Sequence, residues 1–341
     1  MTVRLPYIDF AKTIGIALVV LGHVSGEGGS DAALFIRNLI YQFHVPLFFY
    51  LAGYCFKEQD SWRVFLIKKI KRLYFPFVTW NLIFFAVYLF AHRMNGDSIV
   101  LVDSVKHVIK IFCGIGITPL GGASWFLITL LQSLVIYKLL LTVLSKCKHP
   151  ALWALGICLI IGIAGMLISL PGGTEKTMVA LFFIAAGHMS RTNHLPDIID
   201  KRLIVPFVVA GLVVLLLCSR VNRPDMTLHQ YGFIPVFLLA ALTGIFTTLL
   251  ICSLLVRVRP LSFLGEWGQK TLWILLGHFA AFKLVTLVQM LSFGLPWSTI
   301  FTHPCNYVGK GWGVLYFLAG FFVPLFLSKI NLQRIWARSR S

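Results

Sequence analysis

The chain has 341 residues, of which 58% are hydrophobic and only 12% are charged. Soluble globular domains carry about 25% charged residues, so this composition excludes a soluble globular enzyme. The net charge of +18 would suit a nucleic-acid-binding protein, but the sequence has no helix-turn-helix or RNA-binding pattern, so we expect no nucleic-acid partner. We attribute the excess of basic residues to the cytoplasmic loops that orient a membrane protein in the bilayer.

Apolar segments long enough to cross a bilayer recur along the whole chain. These segments, with turn-forming residues between them, predict an all-α polytopic membrane bundle of about ten transmembrane helices. No hydrophilic stretch is long enough for a separate soluble domain, so residues 1–341 are predicted to form one transmembrane domain. The predicted spans are 8–24, 38–56, 73–92, 123–144, 151–170, 177–190, 203–219, 232–255, 262–290 and 312–329.

Basic residues cluster in alternate connections between these spans. Cytoplasmic loops of membrane proteins carry an excess of Lys and Arg, and this rule predicts that both termini are cytoplasmic. The basic segments on the predicted cytoplasmic side are "KKIKR" (68–72), "SKCKHP" (145–150), "DKR" (200–202), "VRVR" (256–259) and "KINLQRIWARSRS" (329–341).

The first span carries three ionisable side chains, Asp9, Lys12 and His23. On a helix of 3.6 residues per turn these positions share one stripe, with Lys12 and His23 separated by about 16 Å along the axis. A polar stripe has to face protein or water, because polar groups facing lipid are costly. Alternatively, Lys12 reaches the lipid head groups with Asp9 beside it, and His23 is a polar residue at the helix end.

Two further histidines fall within predicted spans, His44 in the second and His278 in the ninth. The topology places them at depths compatible with that of His23. A single intramembrane histidine is consistent with a packed, hydrogen-bonded core residue, but three at similar depth favour one shared polar cavity.

A basic cluster, Lys68, Lys69 and Arg72, precedes the third span. An ordinary cytoplasmic loop accounts for most of such a cluster, but Arg72 directly adjoins the apolar segment "LYFPF" and is expected to point into the bundle. Trp125 opens the fourth span in its outer half, a position also typical of an interfacial tryptophan.

Five motifs resemble those of the transmembrane acyltransferase-3 family, in particular the fucose 4-O-acetylase-like membrane O-acetyltransferases. They occur in the family's order and spacing and extend over most of the chain. The motifs are "IDFAKTIGIALVVLGH" (8–23), "FHVPLFFYLAGY" (43–54), "KRLYFPF" (71–77), "SWFLITLL" (124–131) and "FLG…TLWILLGHF" (263–279).

Two positions depart from the family pattern. Lys12 stands where the family usually has Arg, which removes the planar fork that grips a phosphate in two places but keeps the charge. Ala52 stands where Ser is common before Gly53, and we expect this change to be tolerated.

The resemblance implies an enzyme that takes an acyl group, usually acetyl, from cytoplasmic acetyl-CoA. The acceptor is a hydroxyl of a cell-surface glycan or a lipid-linked sugar, and the enzyme is expected in the bacterial inner membrane. Lys12 and Arg72, together with Lys68 and Lys69, are predicted to bind the phosphates of the acyl-CoA. Acetyl-CoA is the one co-substrate implied, and no metal is expected.

For the transfer itself, His23 is the predicted general base, since a neutral imidazole can take the proton of the attacking hydroxyl. Asp9 is grouped with it at the catalytic site, as the partner that holds the neighbouring lysine. His44, Trp125 and His278 are predicted to bind the acceptor or to stabilise the oxyanion. An acyl-histidine intermediate is a less favoured alternative.

Two other classes of protein fit the composition. A polysaccharide or lipid-linked-sugar transporter or flippase would also have about ten spans and buried polar residues, but it is expected to show internal repeats or broken helices. A non-catalytic assembly subunit would explain the hydrophobicity but not the polar stripe on the first helix.

Overall fold

A computed structural model of the protein describes residues 5–25, 30–193, 200–306 and 311–330. Within these ranges the chain is helical, and its β-structure is a single isolated bridge between Asp225 and Gln230. The predicted all-α fold is therefore confirmed. The α-helices are α1 Pro6–Val24, α2 Asp31–Tyr41, α3 His44–Tyr54, α4 Trp62–Lys69, α5 Phe75–Met94, α6 Leu101–Phe112, α7 Trp125–Val143, α8 Pro150–Leu167, α9 Glu175–Thr192, α10 Ile204–Val221, α11 Ile234–Leu255, α12 Phe263–Trp267, α13 Thr271–Phe293 and α14 Trp312–Leu327.

Eight helical segments of the described chain are long and apolar enough to cross a membrane. Large hydrophobic side chains such as Ile160 (71% exposed) and Leu291 (86% exposed) lie on the outer surface of the bundle, as expected for an integral membrane protein facing lipid. The eight segments are Pro6–Val24, Asp31–Tyr54, Trp62–Met94, Pro119–Lys146, Pro150–Leu167, Lys201–Val221, Ile234–Leu255 and Phe263–Phe293.

The other two predicted spans are also helices, but they differ in character. Helix α14 has only 16 residues, and α9 carries Glu175, Lys176 and Arg191 near its ends. Twelve of the 18 residues of α9 are buried, so this helix is a central element of the bundle. Helix α6 falls outside the predicted spans: it has 12 residues, with charged and apolar side chains interleaved.

The second predicted span, 38–56, is not one helix. It is divided into α2 and α3 at Gln42 and Phe43. Pro46 explains the break, because a proline ring clashes with the carbonyl group four residues earlier, here that of Gln42. The side chain of Gln42, at the break, donates a hydrogen bond to the backbone oxygen of Asn222 at 2.8 Å. A broken helix is one of the features expected of a transporter. The continuity of the helices therefore does not distinguish the predicted enzyme from a transporter.

The third predicted span, 73–92, is part of a longer helix that begins at Trp62. A π-helical turn over Ile70–Tyr74 joins α4 to α5, and the N–H of Phe75 donates to the carbonyl of Ile70. Pro76 lies four residues after Arg72, where a regular α-helix would bring its ring against the arginine carbonyl. The wider turn accommodates the proline, and it places Arg72 in a segment of the kind often found at functional sites.

Helix α9 packs tightly against α3 through two glycines. A Cβ added to Gly53 would lie 2.0 Å from the carbonyl oxygen of Ile184, and one added to Gly187 would lie 2.0 Å from that of Tyr50. Small residues allow membrane helices to approach to backbone contact. This contact fixes the position of α3, which carries His44.

We expect Gly53→Ala to lower the free energy of unfolding by about 1–3 kcal/mol or more, because the new methyl group meets backbone atoms that cannot move aside. Gly156→Ala in α8 is the control, since a Cβ there meets no atom within 4 Å and alanine has the higher helix propensity. Thermal unfolding of both variants in detergent tests the contact. Equal melting temperatures for the two variants would contradict the close α3–α9 packing.

Candidate active site

A cavity of about 600 Å³ lies within the bundle and is lined by residues from α1, α3, α7, α13 and the π turn. One end, which we call the basic end, is lined by Lys12, Lys71, Arg72 and Gln269. The other, the histidine end, is lined by His23, Tyr41, His44 and Asp225.

One face of α1 forms a wall that runs the length of this cavity. Lys12, Ile16, Val19 and His23 line it, and their spacing of four, three and four residues is that of a single helical face. Lys12 and His23 are therefore about 16 Å apart along the helix axis. Between the two polar ends the remaining walls are mostly apolar, from residues that include Phe48, Phe126, Leu127, Leu130, Leu272 and Leu275.

At the basic end, the Lys12 ammonium lies 3.1 Å from a carboxylate oxygen of Asp9. Asp9 itself is 7% exposed and does not line the cavity, so it supports the lysine from the preceding turn. The backbone around Asp9 is fixed by Gly268, where an added Cβ would lie 2.0 Å from the Asp9 carbonyl oxygen. Lys71 and Arg72 leave this end with an excess of positive charge.

Lys68 and Lys69 are not on the cavity wall. The Lys68 ammonium lies 2.9 Å from Asp60, and its hydrogen bond holds the pKa of that carboxyl below its usual range. The Lys69 ammonium lies 5.6 Å from the centroid of the Phe65 ring. Lys71, from the same basic cluster, lines the cavity instead.

At the histidine end, the rings of His23 and His278 stack with their centroids 5.3 Å apart and an angle of 24° between them. His278 is fully buried and does not line the cavity, so it lies behind His23. Phe279 packs edge-on against His23 at 4.7 Å. These contacts restrict the orientation of the His23 ring.

His44 reaches the same end from the first turn of α3. Its Nδ1 lies 2.9 Å from the carbonyl oxygen of Ile40, and because a carbonyl can only accept, Nδ1 carries the proton. In the neutral ring Nε2 is then a hydrogen-bond acceptor.

Three residues that the sequence analysis does not single out complete the histidine end. Arg37 donates to the Asp225 carboxylate at 2.8 Å, and its guanidinium lies 4.1 Å from the centroid of the Tyr41 ring. Asp225 belongs to the loop between α10 and α11, and it also accepts hydrogen bonds from the backbone N–H groups of Thr227 and Leu228. Arg37 lies in a largely apolar segment, and such a charge indicates a partner elsewhere in the fold.

Trp125 is the first residue of α7 and lines the cavity. The Lys176 ammonium lies 5.5 Å from its ring centroid.

The predicted site residues divide into two groups. Lys12, His23, His44, Arg72 and Trp125 share the cavity wall, whereas Asp9, Lys68, Lys69 and His278 lie off it.

Residues 5–328 match the family model of an acyltransferase domain. The chain belongs to the acyltransferase-3 family. The resemblance inferred from the five motifs is thereby confirmed, and the protein is an integral membrane acyltransferase. A curated relative, the succinoglycan biosynthesis protein ExoH of Rhizobium meliloti (strain 1021), is 23% identical over 288 residues, which cover 81% of this chain and 74% of the relative. No solved structure matches the chain significantly.

If the cavity holds the reactants of this acyltransferase, filling it should stop the reaction. Ala52 faces the cavity from α3, and we expect Ala52→Trp to lower acyl transfer at least tenfold. Val209→Trp on α10 is the control, because that side chain is 55% exposed on the outer surface. Transfer rates and melting temperatures of both purified variants test this expectation. Unchanged transfer in a folded Ala52→Trp variant would show that the reactants meet elsewhere.

Proposed function

We propose that this protein is an O-acetyltransferase that moves an acetyl group from acetyl-CoA to a hydroxyl of a cell-surface glycan or a lipid-linked saccharide. The observation that carries the proposal is the cavity with cations at one end, histidines at the other, and apolar walls between them. Acetyl-CoA has the matching distribution, with its phosphates at one end and its thioester at the tip of a long flexible arm.

In this arrangement the basic end binds the phosphates of the donor. Lys12, Lys71 and Arg72 supply charge-assisted hydrogen bonds there, and the Asp9 carboxylate keeps the lysine in position. The arm then follows the apolar wall toward the histidine end. We assign no donor contact to Lys68 or Lys69, because their ammonium groups are engaged with Asp60 and Phe65 outside the cavity.

At the histidine end, His23 takes the proton of the acceptor hydroxyl as its oxygen attacks the thioester carbonyl carbon. The new C–O bond forms as the C–S bond breaks, and the proton passes from the imidazolium to the departing thiolate. His44, with Nε2 as an acceptor, orients the attacking hydroxyl, and Trp125 provides an apolar wall for the sugar ring. His278 acts through His23, by holding its ring from behind.

The acceptor class and the membrane orientation rest on separate observations. A glycan acceptor is supported by the relative whose name assigns it to the biosynthesis of succinoglycan. The basic segments support cytoplasmic termini in a bacterial inner membrane, which puts the basic end on the side where acetyl-CoA is made. The C-terminal basic segment lies largely outside the described residues, at 331–341.

We expect His23→Gln to lower the rate of acetyl transfer by about 10²–10⁴-fold, the contribution typical of a general base. Binding of CoA, measured by calorimetry, should be unchanged because the phosphates bind at the other end. His149→Gln, at an exposed position before α8, is the matched control. Near-normal turnover in His23→Gln would remove this residue as the base.

Lys12→Ala and Arg72→Ala should each weaken CoA binding by about 10–100-fold, since a hydrogen bond to a charged group contributes about 1.5–3 kcal/mol. Lys12→Arg should bind CoA at least as well as the natural protein, because it restores the residue usual in the family. Lys106→Ala, at a surface position outside the cavity, is the control. Unchanged CoA affinity in both alanine variants would show that the phosphates bind elsewhere, and a purified protein without any acetyl-CoA turnover would favour the transporter.

A further inference from the structure

A second cavity, of about 370 Å³, lies between α5, α6 and the segment that precedes α7. Its volume is within the range of roughly 300–1,000 Å³ found for small-molecule sites. Side chains spaced along one face of α5 form one wall, and α6 forms another. The lining includes Phe85, Tyr88, His92, Asp103, His107 and Thr118.

Aromatic rings make up much of this lining. The rings of Phe85 and His107 have their centroids 4.5 Å apart, and those of Tyr88 and His92 are 4.2 Å apart. Phe85 and Tyr88 lie nearly parallel, with 14° between their planes. Together these packed rings form the aromatic part of the cavity lining.

Two buried polar atoms of this lining have no hydrogen-bond partner among the described residues. They are Thr118 Oγ1 and His107 Nε2, and Thr118 as a whole is only 2% exposed. A buried polar atom left unsatisfied costs stability, so each such atom requires an explanation. A ligand with hydroxyl groups would satisfy both.

The charge of the cavity restricts the class of that ligand. Neither Lys nor Arg lines it, so no ammonium or guanidinium group is available there to bind a phosphate or a carboxylate. The hydrogen bond from the His92 ring to Asp97 at 2.5 Å engages that imidazole, and burial lowers the pKa of His107 below its ordinary value. Aromatic rings interspersed with hydroxyl, imidazole and carboxylate groups, the last from Asp103, fit a polyol without negative charge, which has apolar C–H faces and a rim of hydroxyls.

The second cavity is connected to the histidine end of the first through a chain of ring contacts. The ring of His92 stacks on Phe301 at 4.3 Å. Two residues further on, His303 packs on Phe279 at 4.6 Å, and Phe279 contacts His23.

The segment 118–124 forms a second connection between the cavities. The amide side chain of Asn81 accepts from the backbone N–H of Thr118 at 3.3 Å and donates to Ser124 at 2.9 Å. Thr118 lines the second cavity and Ala123 lines the first. The segment 118–124 therefore lies between the two cavities and contributes to the wall of each.

We propose that the second cavity is a saccharide subsite, which binds a neutral sugar ring of the acceptor glycan next to the sugar that is acylated. This inference rests on the proposed function. Thr118 and His107 bond to hydroxyls of that ring, and Phe85 and Tyr88 pack against its C–H face. The enzyme accordingly recognises at least two sugar units.

The test uses the surface polysaccharide of the cells that produce the protein, freed of its esters, partly hydrolysed and sorted by length. Acetyl transfer from acetyl-CoA to each fragment is measured with the purified protein. For the natural protein we expect kcat/KM to rise about tenfold or more once the fragment is long enough to reach both cavities. The same fragments with and without their lipid carrier show whether a lipid-linked chain is needed.

Thr118→Val is the decisive variant, since it removes the unpartnered hydroxyl and keeps the shape of the side chain. It should lower kcat/KM for long fragments about five- to tenfold, the effect of losing a hydrogen bond, and leave both the shortest fragment and the KM for acetyl-CoA unchanged. Its melting temperature should not fall. Tyr88→Ala should also abolish the length dependence, with Phe90→Ala as its control because Phe90 is 66% exposed on the same helix.

Three results would overturn the subsite. The natural protein would transfer acetyl equally well to short and long fragments, or Thr118→Val would lose activity equally with all lengths, or it would keep full activity with long fragments. Each of these leaves the proposed function standing. A natural protein that transfers no acetyl group to any fragment, lipid-linked or free, would instead overturn the proposed function and the subsite with it.

Discussion

A charged side chain inside a membrane helix has to be solvated by protein or by water, because the hydrocarbon of the bilayer cannot solvate a charge. The first helix carries such a charge at Lys12, and the arrangement of the bundle follows from it. Asp9 supplies the counter-ion from the preceding turn, the α12–α13 connection packs against its backbone at Gly268, and the same helix face becomes a cavity wall. Lys12 and His23 thereby lie at the two ends of one cavity.

Two prolines shape the remaining walls. Pro46 divides the second span so that His44 begins a new helix, and Pro76 requires the π turn that holds Arg72. In both places the regular hydrogen-bond pattern of a helix is interrupted beside the cavity. An uninterrupted helix at either place would present a different set of side chains to the cavity, so these irregularities belong to the architecture of the site.

The family assignment and the cavity support one another by independent routes. Membership of the acyltransferase-3 family establishes the class of reaction, whereas the cavity accounts for how the proposed donor, acetyl-CoA, would place its thioester within the bundle. The broken second span shows that a helix interruption is not peculiar to transport. Here the interruption brings a histidine to the end of the cavity where transfer is proposed.

By itself, the sequence determined the helical membrane fold, most of the spans and the shared stripe of Lys12 and His23, since hydropathy and helical periodicity depend on neighbours along the chain. Which basic side chains face the cavity depended on the π turn, so the sequence analysis did not single out Lys71, which lines the cavity, and named Lys68 and Lys69, which do not line it. Only the tertiary structure paired Arg37 with Asp225, 188 residues away, and only it formed the second cavity. Contacts between distant segments depend on how helices pack, and the local periodicity of a sequence does not determine that packing.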